Sequence, residues 1–319
     1  MKHSAKITAI LLSMFVITQL IGLYVISANP FTVQQTQANG TTQAVSNPYL
    51  TWINPPVTPQ TQSEFNSSLA YLIFAFVLAI LILIFLMKFQ VSFLLKIWFF
   101  SVVTIALMLS LMAIAKGLNL SLGQEAVFIS ALAVSLILAF IKISGKSFIV
   151  HNFTELLIYP GIATVFVPIL NVWTVIALLL LISVYDMWAV WHSGVMQRMA
   201  KYQINTLKIF SGFFVPYMSK QQRSQIRSWK ETMPKSKLKK KKVKVNVAIL
   251  GGGDVVFPII TAGVMLMTLG IVSALFVVLG ATLGLAYLFF AAEKRKFYPA
   301  MPFITAGILV GIIASYLLL

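Results

Sequence analysis

The chain has no cysteine, so it can form no disulfide, no thiolate metal site and no cysteine nucleophile. Charge is scarce as well. Only 10% of the 319 residues are Asp, Glu, Lys or Arg, where a soluble domain carries about a quarter. Negative charge is scarcest, with 7 acidic residues against 24 basic ones. What remains is 59% hydrophobic, with a mean hydropathy of +0.93. These values exclude a soluble globular protein. The apolar residues gather in runs long enough to cross a bilayer, which takes about 20 residues at a rise of about 1.5 Å each. In such a protein a net charge of +17 reflects topology rather than nucleic-acid binding.

The pattern predicts an all-α polytopic membrane protein with nine spans, at residues 7–27, 68–88, 93–115, 126–143, 154–172, 174–193, 246–268, 271–292 and 299–319. The first follows Lys2 and Lys6 and precedes Ser27-Ala28, as a signal peptide would. Its apolar run is long for one, so it reads as a retained helix. The fifth contains Pro160, Gly161 and Pro168, where a kink is expected. With the N-terminus cytoplasmic, 23 of the 24 basic residues fall in cytoplasmic segments and only Lys116 does not.

The chain then divides into an N-terminal bundle (1–193), a cytoplasmic basic loop (194–245) and a C-terminal bundle (246–319). Residues 28–67, without Lys or Arg, read as an external loop. In the basic loop, Met196, Met199, Leu207, Ile209, Phe210 and Phe213 alternate with Arg198, Lys201 and Lys208, which suggests an interfacial helix. The run KSKLKKKKVK at 235–244 reads as a topology signal held near anionic lipid.

Acidic residues carry the functional signal. Glu64, Glu125, Glu155, Glu231 and Glu293 fall in loops or at span ends, whereas Asp186 and Asp254 fall inside spans six and seven. An ionisable group at that depth costs several kcal/mol unless it is paired, solvated or neutralised. Both aspartates are expected about 10 Å inside the cytoplasmic end of consecutive antiparallel spans, so their carboxyls can meet. No Lys, Arg or His is positioned to neutralise them, His192 being the nearest. Two facing carboxylates cannot both ionise cheaply and would share a proton, as in aspartic proteases.

Gly251, Gly252 and Gly253 precede the second aspartate. Each weakens helix by about 1 kcal/mol, so unwound or closely packed backbone is expected. Pro299-Ala300-Met301-Pro302 stands at the start of span nine, on the same side as both aspartates.

These motifs resemble those of the presenilin and signal peptide peptidase family, and in particular its archaeal members. Tyr185-Asp186 matches the first, Gly251 to Asp254 the Gly-x-Gly-Asp element, and Pro299, Ala300 and Met301 a Pro-Ala-Leu element in which Met replaces Leu. The match covers the order and side of spans six to nine. The resemblance implies an intramembrane aspartyl endopeptidase with Asp186 and Asp254 as catalytic pair. Tyr185, Gly251, Gly252, Gly253, Pro299, Ala300 and Met301 would then shape the substrate site. It implies no cofactor and no metal. The partners would be a transmembrane helix of a substrate protein and the bilayer, with self-association left open. The location would be a prokaryotic cell membrane, with the N-terminus and the 194–245 loop cytoplasmic. A proton- or ion-coupled transporter that uses the intramembrane aspartates is the alternative.

Overall fold

The computed structural model describes residues 5–36, 42–53, 58–89, 92–118, 122–145, 147–193, 211–217, 246–291 and 298–318. Among them, nine helices are long and apolar enough to cross a membrane. They are α1 (Ala5–Ala28), α2 (Gln62–Lys88), α3 (Ser92–Gly117), α4 (Gln124–Ser144), α5 (Phe148–Phe166), α6 (Val172–Trp188), α7 (Gly252–Leu269), α8 (Ile271–Ala291) and α9 (Met301–Leu318). Two antiparallel strand pairs accompany them. One is β1 (Thr32–Thr36) with β2 (Thr42–Ser46), and the other is β3 (Gly212–Tyr217) with β4 (Asn246–Gly251).

The span count agrees with the sequence, and one boundary does not. Residues 246–251, expected to open span seven, form strand β4, and α7 begins only at Gly252. Three consecutive glycines disfavour helix there, and β3 offers a hydrogen-bonding edge instead. Phe213, expected in an interfacial helix, is a fully buried residue of β3. The rest of that expected helix, and the basic run at 235–244, lie outside the described residues.

The first helix is structural. Leu11 and Phe15 of α1 are fully buried, and α1 packs against α3, α5, α7 and α8. Gln19 donates from Nε2 to the Val255 carbonyl in α7 at 3.1 Å. Pro160 sits inside α5 without ending it, and Gly161 lets α5 meet the Ala106 carbonyl of α3 directly. By contrast, α2 buries no residue of its most apolar window and touches α3 and α6 only lightly.

Lys116, the exception to the charge rule, is held at the end of α3. Its Nζ donates to the Asn29 carbonyl (2.8 Å), the Thr32 carbonyl (2.6 Å) and Thr32 Oγ1 (3.1 Å). The cation is therefore spent on tying α3 to the end of α1 and to β1.

In lipid, apolar burial hardly drives helix association, so close van der Waals packing must do so. The α8–α9 pair is built this way. Gly280 and Gly307 stand backbone to backbone, Gly284 faces the Phe303 carbonyl and Gly311 faces the Phe276 carbonyl. A Cβ at Gly280 or Gly307 would strike backbone that cannot rotate away. Gly280→Val and Gly307→Val should each lower stability by about 1–3 kcal/mol or more. Gly123→Ala, with open space around its Cβ, should not. Thermal unfolding in detergent compares the three.

Candidate active site

Asp254 is placed by the end of β4. Gly251 is both the last residue of the strand and the N-cap of α7, so Asp254 falls in the first helical turn, three residues from the cap. Its carboxyl turns back against the Gly251 backbone N–H. An acidic side chain at this position satisfies an orphan N–H and faces the positive end of the helix dipole. The sequence argument had set Asp254 well inside a longer helix. The strand moves it to the helix start, where backbone donors are free. Pro258, which has no N–H, leaves the Asp254 carbonyl without its usual helical donor.

Asp186 is placed by the end of α6 and is 7% exposed. Directly after the helix, Ala189–Ser193 widen into a π-helical turn, a feature common at functional sites. The Asp186 Oδ2 accepts the backbone N–H of Met301 at 3.1 Å, with the Ala300 N–H alongside. Asp186 thus caps the N-terminus of α9 from a different helix. One turn away, Ser183 Oγ donates to Thr305 Oγ1 at 2.8 Å and pins the same α6–α9 contact. Helices α6 and α7, which carry the two aspartates, also touch.

The other candidates gather around these two groups in different ways. Met301 is buried at 3% exposure, Pro299 is buried and Ala300 is partly buried. This element meets Asp186 through its backbone, so replacing Leu by Met there leaves the contact intact. Tyr185 points its ring edge-on to Phe76 of α2, with centroids 6.0 Å apart, and lies beside Trp188. It therefore links α6 to the loosely packed α2. Between α2, α5, α6 and α7 lies an apolar cavity of about 230 Å³, lined in part by Leu72, Phe76, Ile182, Val256, Phe257 and Ile260. It begins one turn from each aspartate.

The three glycines are not equivalent. A Cβ at Gly251 would stand 3.0 Å from Asp254 Oδ2. At Gly252 it would stand 2.9 Å from both Tyr159 Oη and Ser211 Oγ. Gly253 is exposed, and a Cβ there would meet only the Phe257 ring at 3.8 Å.

Two features escaped the sequence reading. Glu155, expected at a span end, is 1% exposed and lies within α5, where its Oε1 accepts from Lys142 Nζ of α4 at 2.6 Å. Lys142 and His151 are therefore buried basic groups, but Glu155 and not the aspartates engages them. Strand β3 was also missed. Its signal was present: Phe213-Phe214-Val215 is a short β-prone run bounded by Gly212 and Pro216.

A family model described as signal-peptide peptidase, presenilin aspartyl protease matches residues 12–319. The chain belongs to that family. It is accordingly an intramembrane aspartyl protease of many membrane spans, and the transporter reading finds no support. Two crystal structures of a presenilin family intramembrane aspartate protease share its fold. In the C222 form the TM-score is 0.57 at 15% identity, covering 98% of this chain and 99% of the other. In the P2 form the TM-score is 0.53 at 18% identity, covering 97% of each chain. No curated protein gives a significant match.

For this protease the glycine geometry makes a ranked prediction. Gly252→Ala forces a methyl against buried Tyr159 and should displace the start of α7, lowering cleavage at least about tenfold with reduced thermal stability. Gly253→Ala should fold with equal or higher stability, since Ala favours helix by about 1 kcal/mol over Gly. Melting curves together with cleavage of a model transmembrane helix check the order.

Proposed function

We propose that Asp186 and Asp254 are the catalytic pair of this protease and hydrolyse a peptide bond within a substrate's transmembrane helix. The observation that carries the proposal is that the two helices bearing these aspartates touch, and that each carboxyl lies against backbone at a helix N-terminus, Asp186 at Met301 and Asp254 at Gly251. One carboxylate takes a proton from a water held between the two. The other, protonated, donates a hydrogen bond to the scissile carbonyl. Attack gives a tetrahedral diol, and a carboxyl returns a proton to the leaving amine. The step needs neither a covalent intermediate nor a metal.

A helical peptide hides its carbonyl carbon, so the substrate must unwind before attack. The β3–β4 pair supports a route by strand addition. Gly212 and Phe214 turn their backbone N–H and C=O toward α5 side chains, away from β4. By the antiparallel alternation, Phe213, Val215 and Tyr217 bond to β4, while Val247, Ile249 and Gly251 of β4 face the opposite edge. Pro216, without an N–H, stands on the non-bonded side as this phase requires. A substrate strand on that β4 edge would run past Gly251 and exposed Gly253 and bring a carbonyl toward Asp254. Pro299, Ala300 and Met301 would border it on the α9 side, and Tyr185 would face it from α6. The apolar cavity beneath would take hydrophobic side chains of the segment.

Orientation completes the reading. With the 194–245 loop and the N-terminus cytoplasmic, the substrate helix would have its N-terminus outside, and the host would be a prokaryotic, archaeal cell membrane. The chain's freedom from cysteine makes the topology directly testable. In sealed right-side-out vesicles an impermeant thiol reagent should label a single cysteine replacing Lys116 and not one replacing Lys237. Labelling at Lys237 instead would overturn the orientation.

Asp186→Asn and Asp254→Asn should each abolish cleavage of a reconstituted model helix, by about 10³-fold or more, as loss of a reacting group does. Both should fold, because an amide oxygen can still accept the Met301 or Gly251 N–H. Activity should also disappear at alkaline pH, where the shared proton is lost. Near-normal cleavage by either variant removes the pair from the mechanism.

A further inference from the structure

The β3–β4 pair reaches Asp254 through Gly251, yet two short strands are marginal by themselves. Something else must hold them at the membrane boundary. The far edge of β3 is closed by three side chains of α5. Asn152 accepts the Phe214 N–H on Oδ1 at 3.1 Å and donates from Nδ2 to the Phe214 carbonyl at 2.9 Å. Glu155 Oε1 accepts the Gly212 N–H at 3.3 Å, and His151 Nε2 bonds the Gly212 carbonyl at 2.9 Å. These four contacts fall on alternate residues, as the bonds of a neighbouring strand would. Side chains of a helix therefore replace the third strand of a sheet.

The charged part of this clamp is deeply buried. Lys142, Glu155 and His151 are 9%, 1% and 8% exposed, and Lys142 Nζ reaches both Glu155 Oε1 (2.6 Å) and His151 Nδ1 (3.2 Å). Burying an ion pair seldom adds net stability compared with apolar residues of similar size. Its retention therefore calls for another explanation. Gly212, gripped by Glu155 and His151, stands directly opposite Gly251, the cap residue against which the Asp254 carboxyl rests. On the same helix face Tyr159 stacks edge-on to Phe213 at 5.7 Å and sets its hydroxyl against Gly252.

We propose that Glu155 and Asn152, with Lys142 and His151 orienting Glu155, are positioning residues for Asp254, acting through β3 and β4. The inference rests on Asp254 being catalytic. Lys142 orients the Glu155 carboxylate, Glu155 and Asn152 fix the backbone of β3, and the strand pairing carries that position to the cap of α7. None of these residues touches the reacting atoms.

The test uses the full chain in lipid vesicles with a fluorogenic transmembrane-helix substrate. The Lys142→Met/Glu155→Leu double variant replaces the ion pair with apolar groups of similar size and leaves no stranded charge. A purely structural role predicts lowered thermal stability with wild-type kcat in the folded enzyme. Positioning predicts preserved thermal stability with kcat reduced at least tenfold, KM changed less than threefold, and affinity for a hydroxyl-containing transition-state analogue falling in parallel with kcat. Asn152→Leu, which removes two bonds to β3 without touching a charge, should behave likewise and decides the matter if the double variant fails to fold. Wild-type kcat in a folded form of either variant overturns the proposal. Asp186→Asn and Asp254→Asn run alongside. If those variants cleave, the catalytic pair is wrong; if they are dead while both clamp variants are wild-type, only the clamp is wrong.

Discussion

A carboxylate in a membrane has few ways to be tolerated, and the arrangement of the last four helices follows from how this protein tolerates two. Each is met by backbone N–H groups at the start of a helix, where four donors have no partner within the helix. Asp186 receives the Met301 N–H from α9. Asp254 lies against the Gly251 N–H at the cap of its own helix. These donors carry no full charge, so they stabilise a carboxylate without locking it into an ion pair. A lysine in their place would hold the group permanently ionised and useless as a proton donor. The protein does contain a buried lysine, Lys142, and Glu155 keeps it occupied.

Bringing two helix starts to one place constrains the surrounding chain. The α7 start is set by a strand that ends in glycine, and the α9 start follows buried Pro299. Around them small residues let elements approach closely. Gly252 admits the Tyr159 hydroxyl, and the facing glycines of α8 and α9 bring those two helices into backbone contact. The α8–α9 pair then acts as one unit that carries the Met301 N–H to Asp186. On the other flank, α1 supports α7 through buried Leu11, Phe15 and the Gln19 bond to Val255. The side of α2 is the loosely attached one, where that helix contributes to an apolar cavity but buries little of itself.

Much of this was readable from composition and spacing. Nine apolar runs, one-sided basic charge and two aspartates in consecutive spans were enough to anticipate the helices and the candidate site. Lys116 was the one basic residue outside that scheme, and the fold holds it by three neutral oxygens. The weak point was the stretch before Asp254. Asn246 to Leu250 is as apolar as the helix after it, and hydropathy cannot distinguish a buried strand from the first turn of a span. For the same reason Glu155 looked like an interfacial residue, since its partners lie 13 residues before it and 57 after it in the chain.

The sequence alone determined that the chain spans a membrane and where its long apolar helices run, because the transfer of side chains from water to lipid depends on residue type and run length. Tertiary structure decided the rest. A hydrogen bond depends on position to within a few tenths of an ångström, and residues distant in the chain must meet for it to form. That is why only the fold could assign Met301 to Asp186, Gly212 to Glu155 and His151, and a strand rather than a helical turn to the residues before Asp254.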